Sequence, residues 1–372
     1  MPVEFIGIVH GQNVSEIHPA EGPPIDKAYV RAIASAHEAG GFDRVLIAHH
    51  SSSPDGYLTA AHVFAHTEKL GVMLAHRPGF VAPTLTARSL ATLDTYSDGR
   101  LAVHIITGGD DEEQRRDGDY LDKEARYART GEYLDIVKRI WTSDAPFDHA
   151  GEYYRFEGGF SAIKPVQKPH LPIYFGGSSE AAIKTAGRYA DVFALWGESL
   201  AGVKETIARV RAAAAQYGRT DHIRFSLSLR PIIAETEEEA WTKAERILDK
   251  ARTLKGEGRS PRFGARNGPP VNTGSLRLLE TAAQGKVVDK RLWTEIAALG
   301  GARGNSTSLV GTPEQVTESL LDYYDLGVTT FLIRGFTPLE DAVQYGQQLL
   351  PLARKAIAER DAAGPARHAQ AS

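Results

Sequence analysis

The chain has 372 residues, of which 42% are hydrophobic and 24% charged, with 36 glycines and a net charge of −4. That balance fits a globular enzyme with a large core, and it offers no basic block for nucleic acid. There is no cysteine, which excludes disulfides, thiolate metal sites and a cysteine nucleophile, and no apolar run reaches the roughly 18 residues that span a membrane.

Met1-Pro-Val-Glu-Phe enters a strand at once, without a basic leader, so a cytoplasmic enzyme is expected. The first strand is Val3 to Val9, ending at His10-Gly11, and a Pro/Gly-rich loop follows over 12–25. A helix from Asp26 to Ala39 has Asp26 as its cap. Arg44 to Ala48 is the second strand, and the polar run His49-His-Ser-Ser-Ser-Pro-Asp55 leads to a helix from Tyr57 to Thr67. Gly71 to Ala75 is the third strand. Pro83 to Tyr96 is a helix, with proline where a missing N–H costs little. Leu101 to Ile106 is the fourth strand, ending in Thr107-Gly-Gly-Asp110, and Lys123 to Thr142 is a long helix. Residues 147–170 read as a small hairpin insertion.

Leu171-Pro-Ile-Tyr-Phe-Gly-Gly-Ser-Ser179 is a short buried strand broken by Gly176 and Gly177. Ser178 and Ser179 then stand at a helix start that continues to Tyr189. Unpaired amides and the helix dipole make this turn a candidate phosphate cradle; a plain helix cap is the competing reading. Asp191 to Leu195 is the sixth strand, Ala201 to Tyr217 a helix, Ile223 to Ala234 the seventh strand, and Glu237 to Leu254 a helix. Lys255 to Ser275 lacks core-forming residues and reads as a lid or a disordered loop. Two more helices precede the eighth strand, Val328 to Ile333, and Leu339 to Ala356 is the last helix.

Eight strand–helix units predict an α/β chain folded as a (β/α)8 TIM barrel, with insertions after strands four and seven. One domain is expected over residues 1–358, with insertions at about 108–122, 147–170 and 255–287 and a disordered tail over 359–372. The alternative is a doubly wound open sheet, which lacks a G-x-G-x-x-G after strand one. In a barrel the active site lies at the strand C-terminal ends. That rule gathers His10, His49 to Ser53, His76-Arg77, Thr107 to Asp110, Gly176 to Ser179, Trp196, Arg230 and Arg334 to Phe336. No H-E-x-x-H or G-x-S-x-G is present, and His49, His50 and His104 lack the carboxylate spacing of a metal site, so none is expected. Imidazoles, arginines and aromatics beside a phosphate grip suit an anionic substrate and a planar phosphorylated cofactor.

Several motifs carry a resemblance. His76-Arg77-Pro-Gly-Phe-Val-Ala-Pro-Thr-Leu-Thr-Ala-Arg88, Ala91-Thr-Leu-Asp94, Ser97-Asp-Gly-Arg100, Ile106-Thr-Gly108, Glu124-Ala-Arg-Tyr127, Ile173 to Ser179, Leu195-Trp-Gly197 and Leu309-Val-Gly311 are similar to the bacterial luciferase-like flavin monooxygenases. The alkanesulfonate monooxygenase subgroup resembles the chain most, from about residue 3 to 355. The resemblance implies an oligomer, a homodimer or homotetramer. It implies FMN, taken as FMNH2 from a separate NAD(P)H:FMN reductase, and O2 as co-substrate. For a sulfonate the outcome is C–S cleavage to an aldehyde and sulfite. By position it assigns Gly177, Ser178 and Ser179 to the FMN phosphate, with Arg126 and Tyr127 assisting. Ala48, His49 and His104 would lie against the ring, with His104 where the family commonly has Asn. His10 and Arg303 would serve the reacting side, and Trp196 an aromatic wall. Ser53 stands where the subgroup has Cys, Ser228 and Arg230 where it has Arg and His, and Phe336 where it has Tyr. The resemblance thus leaves Ser53 and Arg230 as candidate catalytic residues and Ser228 and Phe336 as candidate substrate contacts, with Arg230 expected to point into the cavity. The acceptor is expected to be small and polar or anionic. Another organosulfur compound, an amine or a heterocycle is an alternative acceptor. An F420-dependent oxidoreductase and a non-catalytic flavin binder are the alternative functions.

Overall fold

The computed structural model describes residues 3–259, 272–302, 304 and 307–364. Its centre is a closed barrel of eight strands in sequential order. These are β1 (Glu4–Val9), β2 (Arg44–Ile47), β3 (Gly71–His76) and β4 (Leu101–Ile105), then β5 (Ile173–Gly176), β6 (Val192–Trp196), β7 (Arg224–Leu229) and β8 (Val328–Ile333). Every neighbouring pair is parallel, including β8 against β1, so the expected TIM barrel is the fold observed.

The strands are near-continuous apolar runs because both of their faces are covered. Ile6, Met73, Ala102, Tyr174, Val192 and Leu332 fill the inside, and Tyr174 Oη donates to Glu4 Oε2 at 3.0 Å beneath them. The larger cluster joins the outer faces to the helices. Within it the buried rings of Phe5 and Phe331 stack at 5.9 Å. Cutting either to Ala would cost about 3–5 kcal/mol. Close approach also fixes one residue: a Cβ on Gly7 would stand 2.1 Å from the His37 imidazole on helix Lys27–Ala39, so only glycine fits there.

Helix starts follow local chemistry. Asp26 accepts from the amides of Ala28 and Tyr29, Asp122 from Ala125 and Ser179 from Ala182, each satisfying a donor the helix leaves unpaired. Thr236 with Glu239 and Thr312 with Gln315 form reciprocal capping boxes. The helices Pro83–Tyr96, Lys123–Thr142 and Glu180–Tyr189 span the expected residues.

Four expectations are corrected. The seventh strand does not run through Ala234. It stops at Leu229, and Ile232–Ile233 leaves the barrel to pair with Ser308–Gly311 in a separate four-stranded sheet. Pro231 supplies no ladder donor, and the Arg230 amide is drawn to the Thr307 carbonyl at 3.1 Å. The insertion after β7 is more ordered than expected: helices Glu237–Gly256 and Glu295–Gly300 and this small sheet share a second apolar cluster, and helix Thr273–Ala283 packs through Leu278 with Ala297 and Ala302. The middle of the lid candidate, residues 260–271, lies outside the described residues. The last helix is interrupted by a π-helical turn at Tyr345–Leu349, just before Pro351, whose ring cannot accept an ordinary i−4 carbonyl behind it. That helix then continues to Ala363, so residues 359–363 are helical rather than tail. The hairpin Phe147–Ala150 with Arg155–Gly159 forms as expected. It lies between a helix and the next strand, on the side of the barrel away from the strand C-terminal ends.

Candidate active site

A cleft of about 880 Å³ opens at the C-terminal ends of β4, β5 and β6. Its phosphate-type corner is built by the turn after β5. Gly177 takes φ +139°, a conformation open to glycine alone, and a Cβ there would stand 2.7 Å from the Ala182 Cβ and 3.0 Å from the Tyr127 hydroxyl. Ser179 caps the helix Glu180–Tyr189, accepting from the Ala182 amide at 3.3 Å. The capping reading therefore holds. It leaves the amides of Ser178 to Ala181 without an acceptor among the described residues. Burial pushes the Tyr127 phenol up, opposed by its bond with Ser179. Arg126, one residue earlier, is buried and paired with Asp111 at 2.7 Å.

The floor is His104 on β4. Its Nδ1 has no hydrogen-bond partner among the described residues, nor has Thr107 Oγ1 beside it. His104 is half-buried, facing the cleft, and burial pushes it down to about 4. It is a neutral imidazole at physiological pH, able to offer one donor and one acceptor. Trp196 on β6 forms a wall, and Gly274, at the start of helix Thr273–Ala283, packs on it. Arg77 reaches the cleft from the end of β3, with Nη1 2.9 Å from Glu113. Burial pushes the Glu113 carboxyl up, but bonds from Arg77 and the Ser51 amide outweigh it and hold it low.

A second, much smaller cavity of about 10 Å³ lies where β1, β7 and β8 end. His10, Arg230 and Arg334 line it. Glu16, from the loop after β1, is buried between the two arginines, 2.7 Å from Arg230 and 3.7 Å from Arg334.

The model of the family described as "Luciferase-like monooxygenase" matches residues 3–330. The chain is a member of the luciferase-like monooxygenase family. Solved structures that share its fold include the following three. One is the riboflavin lyase RcaE, solved with modified FMN and riboflavin, at 21% identity and TM-score 0.77, covering 96% of this chain and 92% of that one. Another is the EDTA monooxygenase EmoA from Chelativorans sp. BNC1, at 18% identity and TM-score 0.75, covering 96% and 94%. The third is an F420-dependent secondary alcohol dehydrogenase, at 17% identity and TM-score 0.67, covering 95% and 99%. No helix among the described residues is long and apolar enough to cross a membrane.

The residues singled out in the sequence of this luciferase-like monooxygenase divide into three groups. His104, Arg126, Tyr127, Gly177, Ser178, Ser179 and Trp196 surround the large cleft. His10 and Arg230 meet at the small cavity instead. Arg230 does not point into the cleft as expected: it is fully buried, bonded to Glu16 and the Gly335 carbonyl, with its guanidinium 3.5 Å from the centre of the Phe336 ring. Phe336 is core, packed with Ile17 and Trp293. Ser228 faces Trp196 and Leu332 across the sheet, and Ser53 sits on an exposed turn. Ala48 and His49 flank β2 without lining the cleft; burial and then the Arg77 charge push His49 down. Arg303 lies outside the described residues.

Sequence reading missed Glu16 and Asp111. Neither belongs to a motif, and only the folded loops bring them to their arginines. Asn272 to Gly274 were also missed, because they ended a stretch read as structureless.

Proposed function

We propose that this protein takes reduced FMN from a separate NAD(P)H:FMN reductase and uses O2 to oxygenate a small polar or anionic substrate. The substrate class we propose is an organosulfonate. One oxygen atom would end in an aldehyde and the other in water, while the C–S bond breaks and sulfur leaves as bisulfite. The observation that carries this reading is the cradle at Gly177 to Ser179, which meets a wide cleft inside a barrel of the luciferase-like monooxygenase family.

The residues present fit FMN. A Cβ on Gly177 would fill the cradle, and donors there lack acceptors within the described protein. Thr107 Oγ1, His104 Nδ1 and Arg126 Nε are likewise unpartnered and line the same space, whose volume suits a planar ring with a phosphate arm. Bound in its reduced form, FMN supplies the electrons that let O2 react with an organic acceptor. The chain's part is to bind and to exclude water. Main-chain amides and Ser178 would hold the phosphate, Arg126 would add charge, and neutral His104 would bond a ring edge without bringing a positive charge. Trp196 and the helix start at Thr273-Gly274 shield one side. His10, Arg230 and Arg334 give the acceptor side its polar character.

The test regenerates FMNH2 with an NAD(P)H-driven reductase in air and measures O2 uptake and sulfite release across sulfonates, with sulfones and amines alongside. Sulfite appearing with substrate-dependent O2 uptake is the expected result. Uptake that no acceptor alters would sink the monooxygenase reading. The likeness to the F420-dependent alcohol dehydrogenase supports a second reading, hydride transfer with F420. Alcohol-dependent reduction of F420, without O2 uptake, would establish it.

A further inference from the structure

Arg126 is 2% exposed, yet the charge that meets it comes from the surface. Its Nη2 donates at 2.7 Å to Asp111, which is 61% exposed and opens the short helix Asp111–Arg116. Its Nη1 donates to the Leu121 carbonyl, and its Nε has no partner among the described residues. Asp111 lines the same cleft as Ser178 and Ser179. Asp110 and Glu112, on either side, line it too, so this rim is acidic where the opposite corner offers donors. A phosphate dianion entering that corner must displace the Asp111 carboxylate from Arg126 or lie beside it, and each option weakens its hold.

We propose that Asp111 is an internal competitor for the cofactor's phosphate. It satisfies the buried guanidinium while the corner holds no nucleotide, and it loosens the grip when one binds. A cofactor delivered by another protein and released after each turnover needs that looseness. The inference rests on the FMN reading above, and it assigns Asp111 a role in setting affinity rather than in chemistry.

Asp111→Asn keeps the size and one acceptor oxygen while removing the charge. A bond between charged partners is worth enough that its loss to the competitor should tighten FMN by about tenfold. Riboflavin, which has no phosphate, should bind wild type and variant alike. Asp111→Glu restores the competing charge and should return FMN affinity towards wild type. The measurement is fluorescence quenching of FMN and riboflavin, with anaerobic absorbance titration for the reduced forms. Inorganic phosphate serves as a competitor, and its inhibition constant should fall in Asp111→Asn alongside that of FMN. If wild type binds FMN and Asp111→Asn binds it equally or more weakly, the Asp111 assignment is overturned while the FMN reading stands. If FMN and riboflavin both tighten equally, the effect is not on the phosphate and the assignment is again overturned. If wild type binds neither flavin, both readings go together.

Discussion

Glu16→Gln tests whether Arg230 is held for structure or for chemistry. Glu16 is 2% exposed and Arg230 0%, with 2.7 Å between Oε2 and Nη1. Removing one member of such a pair leaves the other charged in a medium that solvates it poorly, at a cost of about 3–5 kcal/mol. At about 2.1 cal/mol/K per residue, unfolding 372 residues releases about 0.8 kcal/mol/K. The expected fall in Tm is therefore about 4–6 °C. Arg230→Met alone should fall by a similar amount, because buried Glu16 loses the 2.7 Å contact and Arg334 stands farther off, at 3.7 Å. Glu16→Gln combined with Arg230→Met removes both charges and leaves an unbranched apolar stem at 230, so its loss in Tm should be smaller than the sum of the two single losses. Scanning fluorimetry at one heating rate reads all three, with circular dichroism confirming the fold. An Arg230→Met protein within about 1 °C of wild type that has lost turnover would refute the structural assignment. Strict additivity of the two losses would refute the coupling.

Ser179→Asp should leave the helix capped, since Asp is as good a cap as Ser, while placing a negative charge in the phosphate corner. FMN affinity should drop by more than about tenfold, with riboflavin unaffected; equal loss of both flavins would point to a collapsed turn. Gly177→Ala forces φ +139° on a residue with a Cβ, 2.7 Å from Ala182. It should lose about 2–4 kcal/mol and bind FMN weakly, and a denaturation midpoint equal to wild type would show that the turn relaxes freely. Burial holds His37 down to about 4, and burial with the nearby His49 holds His76 down to about 3. Below the unfolded value of about 6.5, the unfolded chain takes up protons that these folded sites refuse. Their contribution is whole above that pH and is lost at about 1.4 kcal/mol per pH unit and per histidine as pH falls towards the folded values. Tm should decline on acidification from about pH 6.5, and His76→Gln should make the decline shallower; a parallel curve would count against His76.

The barrel was legible because its signals are local. Each strand is an apolar run of four to six residues, and helices such as Lys27–Ala39, Lys123–Thr142 and Glu180–Tyr189 start at a side chain that caps them. Pro83 and the glycines at 176 and 177 mark boundaries by their own backbone limits. The turn proposed to hold the cofactor was legible for the same reason: strand, turn and cap are contiguous in Leu171 to Tyr189. What sequence did not show depends on distant partners. Pro231 announces a break in β7, but only pairing with Ser308–Gly311 gives Ile232–Ile233 a place to go. Arg230 sits two positions beyond Ser228, and strand alternation puts both on one face; the strand ends between them, and Glu16, from more than two hundred residues earlier, takes the guanidinium.

The two sides of the barrel mouth therefore act on anions in different ways. At the end of β5, main-chain amides, Thr107 and Arg126 Nε offer donors without an acceptor among the described residues, so a phosphate there would gain bonds, opposed by the acidic rim of Asp110, Asp111 and Glu112. At the ends of β7 and β8, the guanidinium groups of Arg230 and Arg334 face a buried carboxylate of the protein itself. An anion arriving on that side must contest Glu16 for them, and the buried pair resists because separating it exposes two charges in a poorly solvating medium. On the proposed function, flavin and acceptor would be sorted before any shape selection acts: the phosphate would be drawn to the side with open donors, and the other side left for a group that accepts weaker attraction. A small sulfonate, whose charge is spread over three oxygens, loses less by that arrangement than a compact carboxylate or a phosphate dianion would.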